Sequence, residues 1–359
     1  MSRRPRASGY FRTAYAQDLA LIETRTERLA LAALLMALAA LPILASPFLL
    51  DLATQVLLAS VGALALMLLT GYAGQVSLGH AGLLAAGAFT VGILFKELQA
   101  PFWVTLPAAA IVGALIGVVF GLPSLRLRGL YLAVSTLALH FLVVYLGAEY
   151  ETKRGFSTGI VIDPPSIMGL AITDGRAWYL IALAAAAATL LLCLNLLRSK
   201  TGRAWAAINA KETVAEALGI GVAAHKLLAF VVSSAITAVA GALFAYHRGF
   251  VSVEAFSLFL SIQYVAMIIV GGMGSLLGAV LGAIFVTLFP YIIEAGLRAL
   301  PGAQRYAGVL FAVNYAAFGA VMILFLVFEP LGLVGIWRRV QTYFLLWPFK
   351  HRQAAGPRR

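Results

Sequence analysis

Charge is the scarcest commodity in this sequence. Asp, Glu, Lys and Arg make up 11% of its 359 residues, less than half of the roughly 25% typical of soluble domains. Leu52–Phe95 and Ala255–Ile293 contain none. A water-soluble domain needs charge to clothe its surface, so that class is excluded. Cys193 is the only cysteine and lies in an apolar run, which rules out a disulfide within the chain and leaves it as a small packing residue. Without GxxxxGK[ST] there is no P-loop to bind and hydrolyse ATP, and without HExxH there is no zincin helix. His80, His140, His225 and His247 show no metal-ligand spacing. Ser77 and His80 stand close in sequence, but no Asp or Glu shares their spans to orient the histidine, so no serine hydrolase is built from them. The expectation is a chain that is not an enzyme and binds no cofactor or metal of its own.

What remains is apolar. Hydrophobic residues are 62% of the chain and its mean hydropathy is +0.96, the composition of an all-α, polytopic membrane protein. A crossing takes about 20 apolar residues, so each charge-free tract must hold two. We read about ten crossings, near Leu29–Leu49 (kinked at Pro42), Leu52–Thr70, Leu78–Phe95, Pro101–Gly121, Gly129–Gly147 and Ala177–Leu197, then Leu227–Tyr246, two within Ala255–Ile293, and Tyr306–Phe328. Lys and Arg gather on the cytoplasmic side of membrane proteins, and about 19 of the 26 here fall in segments that this count puts on one side. Those segments are a basic leader, 1–28, a loop with Arg126 and Arg128, the stretch 198–226, and a basic tail, 338–359. Both termini are therefore expected in the cytoplasm, with 29–337 as the transmembrane domain and 148–176 as an external loop. No cleavable signal is read, because the apolar run after the leader is long enough to span. The net charge of +12 is then a topological bias, and no nucleic-acid partner is implied.

Membrane machines that run on protons usually place ionisable side chains inside their spans. None is expected here, which disfavours carboxylate-based proton coupling and leaves open sodium sites made of carbonyls and hydroxyls. Two stretches interrupt the apolar pattern. In Gly71–Gly82, glycines alternate with Gln75, Ser77 and His80, and in Gly271–Gly282 glycine recurs around Ser275. Irregular backbone at membrane depth is tolerated only inside protein or beside a watery cavity, so both read as pathway wall or gate. Small residues also let helices approach closely, and that reading covers Gly278 and Gly282 well. His80 is read either on the pathway or as a packed histidine satisfied by a carbonyl, and Gln55, Gln263 and Asn314 as hydrogen-bonding glue between helices. The middle of 198–226, Gly202–Leu218, has helical spacing of Trp205, Ile208, Ala215 and Leu218 and is stopped by Gly219 and Gly221. A short amphipathic helix results, lying on the lipid surface or docking a partner.

The strings GYAGQVSLGHAG, GRAWAAINAKETVAEALGIGVAAHK and GGMGSLLGAVLG, with the ending FEPLGLVGIW, resemble the permease subunits of branched-chain amino-acid ABC importers, the LivH/LivM family, and within it the longer M-type subunit. The resemblance covers nearly all of Leu29–Phe349. It implies an importer assembled from a second, H-type permease, two cytoplasmic ATPases that use ATP, and a periplasmic or lipid-anchored solute-binding protein, in the bacterial plasma (inner) membrane. It also implies an ATPase-coupling motif at Gly202, Arg203, Glu212, Glu216, Ala217 and Gly219, and a translocation path beside Gly71, Gly74, Gln75, Ser77, Gly79, His80, Gly82, Gly271, Gly272 and Gly274. One departure stands out: where the family commonly shows a TGGxxGL-like string, this chain has KRGFSTGIVIDPP at Lys153–Pro165. Branched-chain amino acids, urea and aromatic acids all remain open as cargo. A stand-alone secondary transporter or channel for a small neutral solute is the other reading, and a membrane scaffold without flux a third.

Overall fold

The computed structural model describes residues 25–125, 127, 129–156, 159–167, 170–298, 310–329 and 331–346. Residues 1–24, Arg126, Arg128, 299–309 and those beyond 346 lie outside them, as does the Asn314 side chain. The order is α1 (Arg25–Leu44), α2 (Pro47–Leu66) with a π-helical extension (Met67–Tyr72), α3 (His80–Leu98), α4 (Phe102–Ser124) and α5 (Leu130–Arg154). Short strands β1 (Ile160–Val161), β2 (Ser166–Ile167) and β3 (Leu170–Ala171) precede α6 (Gly175–Arg198), α7 (Lys200–Ala210), α8 (Glu212–Ala217) and α9 (Val222–Arg248). Strand β4 (Phe250–Val251), a 3-10 turn (Val253–Phe256), α10 (Leu258–Gly271), α11 (Leu276–Arg298), α12 (Leu310–Phe328) and α13 (Gly332–Leu346) follow.

Ten of these helices stand where the ten crossings were expected. Seven are long and apolar enough to cross a bilayer by themselves: α2 with its extension, α3, α4, α5, α6, α9 and α11. Helix α10 has 14 residues, about 21 Å at 1.5 Å per residue, short of a hydrocarbon core of about 30 Å. Helices α12 and α13 form a pair bent by 53°, and Glu329 at the bend is ion-paired with Arg339 at 2.8 Å.

Glycine decides how closely the bundle packs. In lipid, helices gain nothing by hiding apolar surface from one another, so contact depends on backbone approach. Gly113, Gly117 and Gly121 form a stripe along α4 that lies on α9; a Cβ at Gly113 would stand 2.6 Å from the Ser234 carbonyl oxygen. Helices α3 and α9 cross at Gly87 and Gly241, where an added Cβ would run into the carbonyls of Ala238 and Leu84. Ser233 Oγ donates to the Ala65 carbonyl of α2 at 2.8 Å, and Tyr179 of α6 donates to the Leu38 carbonyl of α1 at 2.9 Å.

The chain ends its helices elsewhere than charge alone suggests. Helix α5 runs on to Arg154 instead of stopping at Gly147, because Glu149, Lys153 and Arg154 are still helical: Lys153 pairs with Glu149 at 2.9 Å and Arg154 with Glu97 at 2.8 Å. Pro47 opens α2 as its first residue, with Ser46 as N-cap, so Asp51 lies inside a helix and not in a loop. His80 already begins α3 and Leu276 already begins α11, which puts Gly82, Gly278 and Gly282 within helices and outside the breaks. Charge marks a polarity boundary; hydrogen bonding and caps mark the helix end.

Two ends of the bundle are distinct. At the end read as external, Tyr150 donates to Glu97 at 2.8 Å, β1 pairs antiparallel with β4 through Ile160–Val251 and Val161–Phe250, and His247 meets Asp51 at 3.1 Å. Both breaks and the helices α7 and α8 lie at the opposite end.

Candidate functional site

The first break begins with a widening of α2. Ala73 N donates to Leu68 O and Gln75 N to Leu69 O, a spacing longer than the α-helical one, and Thr70 Oγ1 donates to Gln75 O at 3.0 Å. Gly74 then takes φ +70, where its missing Cβ leaves room for Asn209. Ser77 Oγ accepts from Gly79 N at 3.3 Å, Leu78 N donates to Thr136 Oγ1 of α5 at 2.9 Å, and Ala81 N donates to Ser261 Oγ of α10 at 2.9 Å. Side chains of two neighbouring helices thus take the place of helical partners, as non-helical backbone in a membrane requires. Gln75, Ser77 and His80 are buried. Gly79 lies against the Thr136 carbonyl and Gly82 against the backbone of His140. Ser77 makes no bond to His80, so the pair has no nucleophilic geometry.

The second break spans the turn from Gly271 to Ser275. Gly272 has φ +113 and Gly274 φ +77, values that only glycine adopts freely. Behind the turn, α10 and α11 touch backbone to backbone: a Cβ on Gly271 would meet Gly278 O, and one on Gly282 would meet Met267 O. The two breaks are themselves neighbours, since a Cβ on Gly71 would come within 3.0 Å of Gly274 N.

Helices α7 and α8 reach this junction from outside the spans. Expected as one helix, the segment is split at Lys211, whose φ of −162° and ψ of 111° are extended. The split lets each half do something different. Helix α7 buries Trp205 and Ile208 against the bundle, Trp205 Nε1 donates to His225 O at 2.8 Å, and Asn209 Nδ2 donates to Gly71 O at 3.1 Å. Gly202 packs on the end of α6 at Leu197. Glu212, starting α8, is bridged to Lys226 Nζ at 2.8 Å, and Lys226 O accepts from Gln75 Nε2 at 3.0 Å. Of the residues implicated in coupling, Arg203, Glu216, Ala217 and Gly219 are exposed, Glu212 is half-buried and Gly202 is buried. Val214 and Leu218 are 49% and 74% exposed apolar side chains, an arrangement fit to receive another surface.

A cavity of about 330 Å³ lies among α2, α9, α10 and α11. Gln55, Gln263, Thr287 and Tyr291 give it polar groups, Tyr264 lines it, and among the described residues Arg248 is its one charged wall residue. None of Gly71, Gly74, Gln75, Ser77, Gly79, His80, Gly82, Gly271, Gly272 and Gly274 lines it. His80, where the break ends, meets Tyr264 of the cavity wall with ring centroids 4.6 Å apart and planes tilted by 55°. One expectation changes here: Gln263 lines a cavity, and Gln55 donates to Asp51 within its own helix at 2.6 Å as well as lining the wall. Arg248, exposed at the last turn of α9, stands at the cavity's edge. Arg248, Tyr264, Asn209 and Lys226 carried no sequence signal, since each is an ordinary residue until distant helices are brought together.

Comparison with known proteins agrees in kind. Residues 48–327 match the family described as branched-chain amino acid transport system / permease component. The chain is similar to the high-affinity branched-chain amino acid transport system permease protein LivM of Salmonella typhimurium, 31% identical over 88% of this chain and 76% of that one, and to LivM of Escherichia coli at the same identity and coverage. It is also similar to the autoinducer 2 import system permease protein LsrC of Klebsiella pneumoniae, 30% identical over 49% of this chain and 51% of that one. No solved structure matches the chain significantly.

Proposed function

The chain belongs to the family of branched-chain amino acid transport system permease components, and from that premise we propose that it is the transmembrane permease of an ATP-binding-cassette importer. It is a multi-pass membrane protein and a transport subunit, without covalent chemistry of its own. Its cargo is a branched-chain amino acid or a related small solute with an apolar body, moved into the cytoplasm. A second, H-type permease completes the path, two ATPases bear on α7 and α8 from the cytoplasm, and a solute-binding protein docks at the opposite end, where Glu97, Tyr150 and Arg154 cluster. The membrane is the bacterial plasma membrane, with both termini inside.

One observation carries this reading. Helices α7 and α8, accessible from outside the spans, are tied to the first break: Asn209 of α7 donates to the Gly71 carbonyl, and Glu212 of α8 is bridged to Lys226 of α9, whose carbonyl accepts from the Gln75 side chain. A push on α8 is therefore a push on the break, and the second break, in contact with Gly71, must follow. Coupling of this kind needs a two-state element, and glycine turns between rigid helices supply one.

The test is reconstitution of the permease with its ATPases, second permease and binding protein, with labelled leucine outside the vesicles. ATP-dependent uptake is expected, lost when Glu212, Glu216 and Gly219 are altered together. Transport by the single chain under an ion gradient would instead favour a secondary transporter, and the absence of any flux a scaffold.

A further inference from the structure

The cavity has a chemistry that the break residues do not. Its volume of about 330 Å³ equals roughly ten water volumes at about 30 Å³ each, room for a solute the size of an amino acid. Most of its wall is apolar, with Leu84, Phe256, Leu260 and Met267 among the lining side chains. Arg248 is the exception. Its guanidinium rests over the Phe244 ring, 5.5 Å from the centroid, and among the described residues it makes no ion pair.

Among the described residues, no ion pair joins it to a carboxylate of the neighbouring elements. Asp51 on α2 gives Oδ1 to His247 at 3.1 Å and Oδ2 to Gln55 at 2.6 Å. On the other flank, Glu151 accepts from Val253 N at 3.2 Å. A planar guanidinium held by an aromatic face and short of a counter-charge is a fork for a carboxylate. Among the described residues no Asp or Glu lines the cavity, so an ammonium group finds no opposite charge in that wall.

We propose that this cavity is a binding site for organic monocarboxylates, in which Arg248 takes the carboxylate at the mouth and the apolar wall takes an aliphatic or aromatic body. The amino group of an amino acid is not what the site selects. The inference rests on the permease reading and narrows it: leucine enters as a carboxylate with an isobutyl body, its deaminated analogue 4-methylpentanoate fits equally, and urea, with neither feature, does not.

Direct binding of four probes to the detergent-solubilised transporter complex, without the solute-binding protein, tests this apart from transport. Leucine and 4-methylpentanoate are expected to bind within about threefold of each other, and leucinamide and urea at least about tenfold more weakly, the scale of one lost charge-assisted bond. Arg248→Gln should weaken the first two by about tenfold or more, and Arg248→Lys by less. The comparison of leucine with leucinamide needs no variant and so does not depend on the variants' folding. Leucinamide binding as well as leucine, unchanged affinity in Arg248→Gln, or no binding of any probe would overturn the proposal. Carboxylate-dependent binding without ATP-driven uptake would support the site and reject the permease reading; ATP-driven uptake with carboxylate-independent binding would do the reverse.

Discussion

The rings of His80 and Tyr264 lie with centroids 4.6 Å apart, which brings the residue that ends the first helix break against the wall of the cavity. His80 is the first residue of α3, and its position is fixed by the backbone that turns there; Tyr264 belongs to α10 and forms part of the cavity wall. Behind Tyr264, Gly62 of α2 has no Cβ, and one built there would stand 2.6 Å from Cε1. The tyrosine is therefore held from both sides. Tyr264→Phe keeps the ring and is expected to keep ATP-dependent uptake. Tyr264→Ala, a truncation of the type that costs about 3–5 kcal/mol in a packed core, should also open the cavity wall. Labelled solute should then leak from loaded vesicles without ATP. Tight vesicles with the alanine variant would show that the passage does not run past this ring.

The Lys226–Glu212 bridge is the shortest connection between the outer helix α8 and the break. Its partners are only 13% and 24% exposed, so the pair is screened less than a surface ion pair. Lys226→Met should cost about 1–3 kcal/mol, the range for a charge-assisted bond partly removed from water. Transport should suffer more than stability, because the pair sits on the lever and not in the core. ATP hydrolysis by the assembled transporter is expected to persist while uptake per ATP falls by about tenfold. Equal loss of hydrolysis and uptake would point to failed assembly instead.

Glycines divide into those that fill no space and those that cannot be replaced. A Cβ at Gly282 would run into the Met267 carbonyl, a backbone atom that cannot swing aside, whereas one at Gly296 meets nothing within 4 Å. Gly282→Ala should destabilise by about 1–3 kcal/mol, the usual cost of overpacking, and spread the α10–α11 pair at the second break. Gly296→Ala should lie within about 0.5 kcal/mol of the parent. Thermal unfolding in detergent separates the two, and similar midpoints would mean that the α10–α11 contact is looser than its geometry.

How much of this was legible beforehand depends on the range over which each feature is encoded. Spans are local: an apolar run flanked by Arg or Lys declares itself, and helices stand at all ten expected places, though α10 is shorter than a crossing. The breaks were legible because Gly, Gln, Ser and His are out of place in such runs. Their limits were not, since the start of α3 at His80 is set by backbone N–H groups donating to Ser261 and Thr136, which lie 180 and 58 residues from their partners. The pairing of Ile160 with Val251 was invisible for the same reason. Lys211 illustrates a different failure: helical spacing of apolar residues continues through it, yet the backbone there is extended because Asn209 and Glu212 are drawn to different partners. Arg248 closes α9, and only the arrival of α10 and α11 beside it makes that end part of a cavity.

The last prediction concerns the surface that would receive the motor. Val214 and Leu218 protrude from α8 and the turn after it with exposures of 49% and 74%. Single apolar side chains on a surface are common and need no explanation, but these two flank Glu216, one on a six-residue helix and one at its C-cap, and the helix's other contacts lead inward to the break. Their burial in the assembled complex would make them apolar anchors, the kind of residue that dominates an interface. Val214→Asp with Leu218→Asp changes two side chains that are mostly or half exposed, so the unfolding midpoint of the isolated permease should move little, by the equivalent of about 0.5 kcal/mol. Co-purification with the ATPases should be lost, because two buried carboxylates without partners oppose docking. The two measurements must part company for coupling through α8 to stand. Retention of the ATPases by the double variant would place the motor's grip elsewhere, and a large drop in the midpoint would show instead that α8 is held by contacts within the bundle.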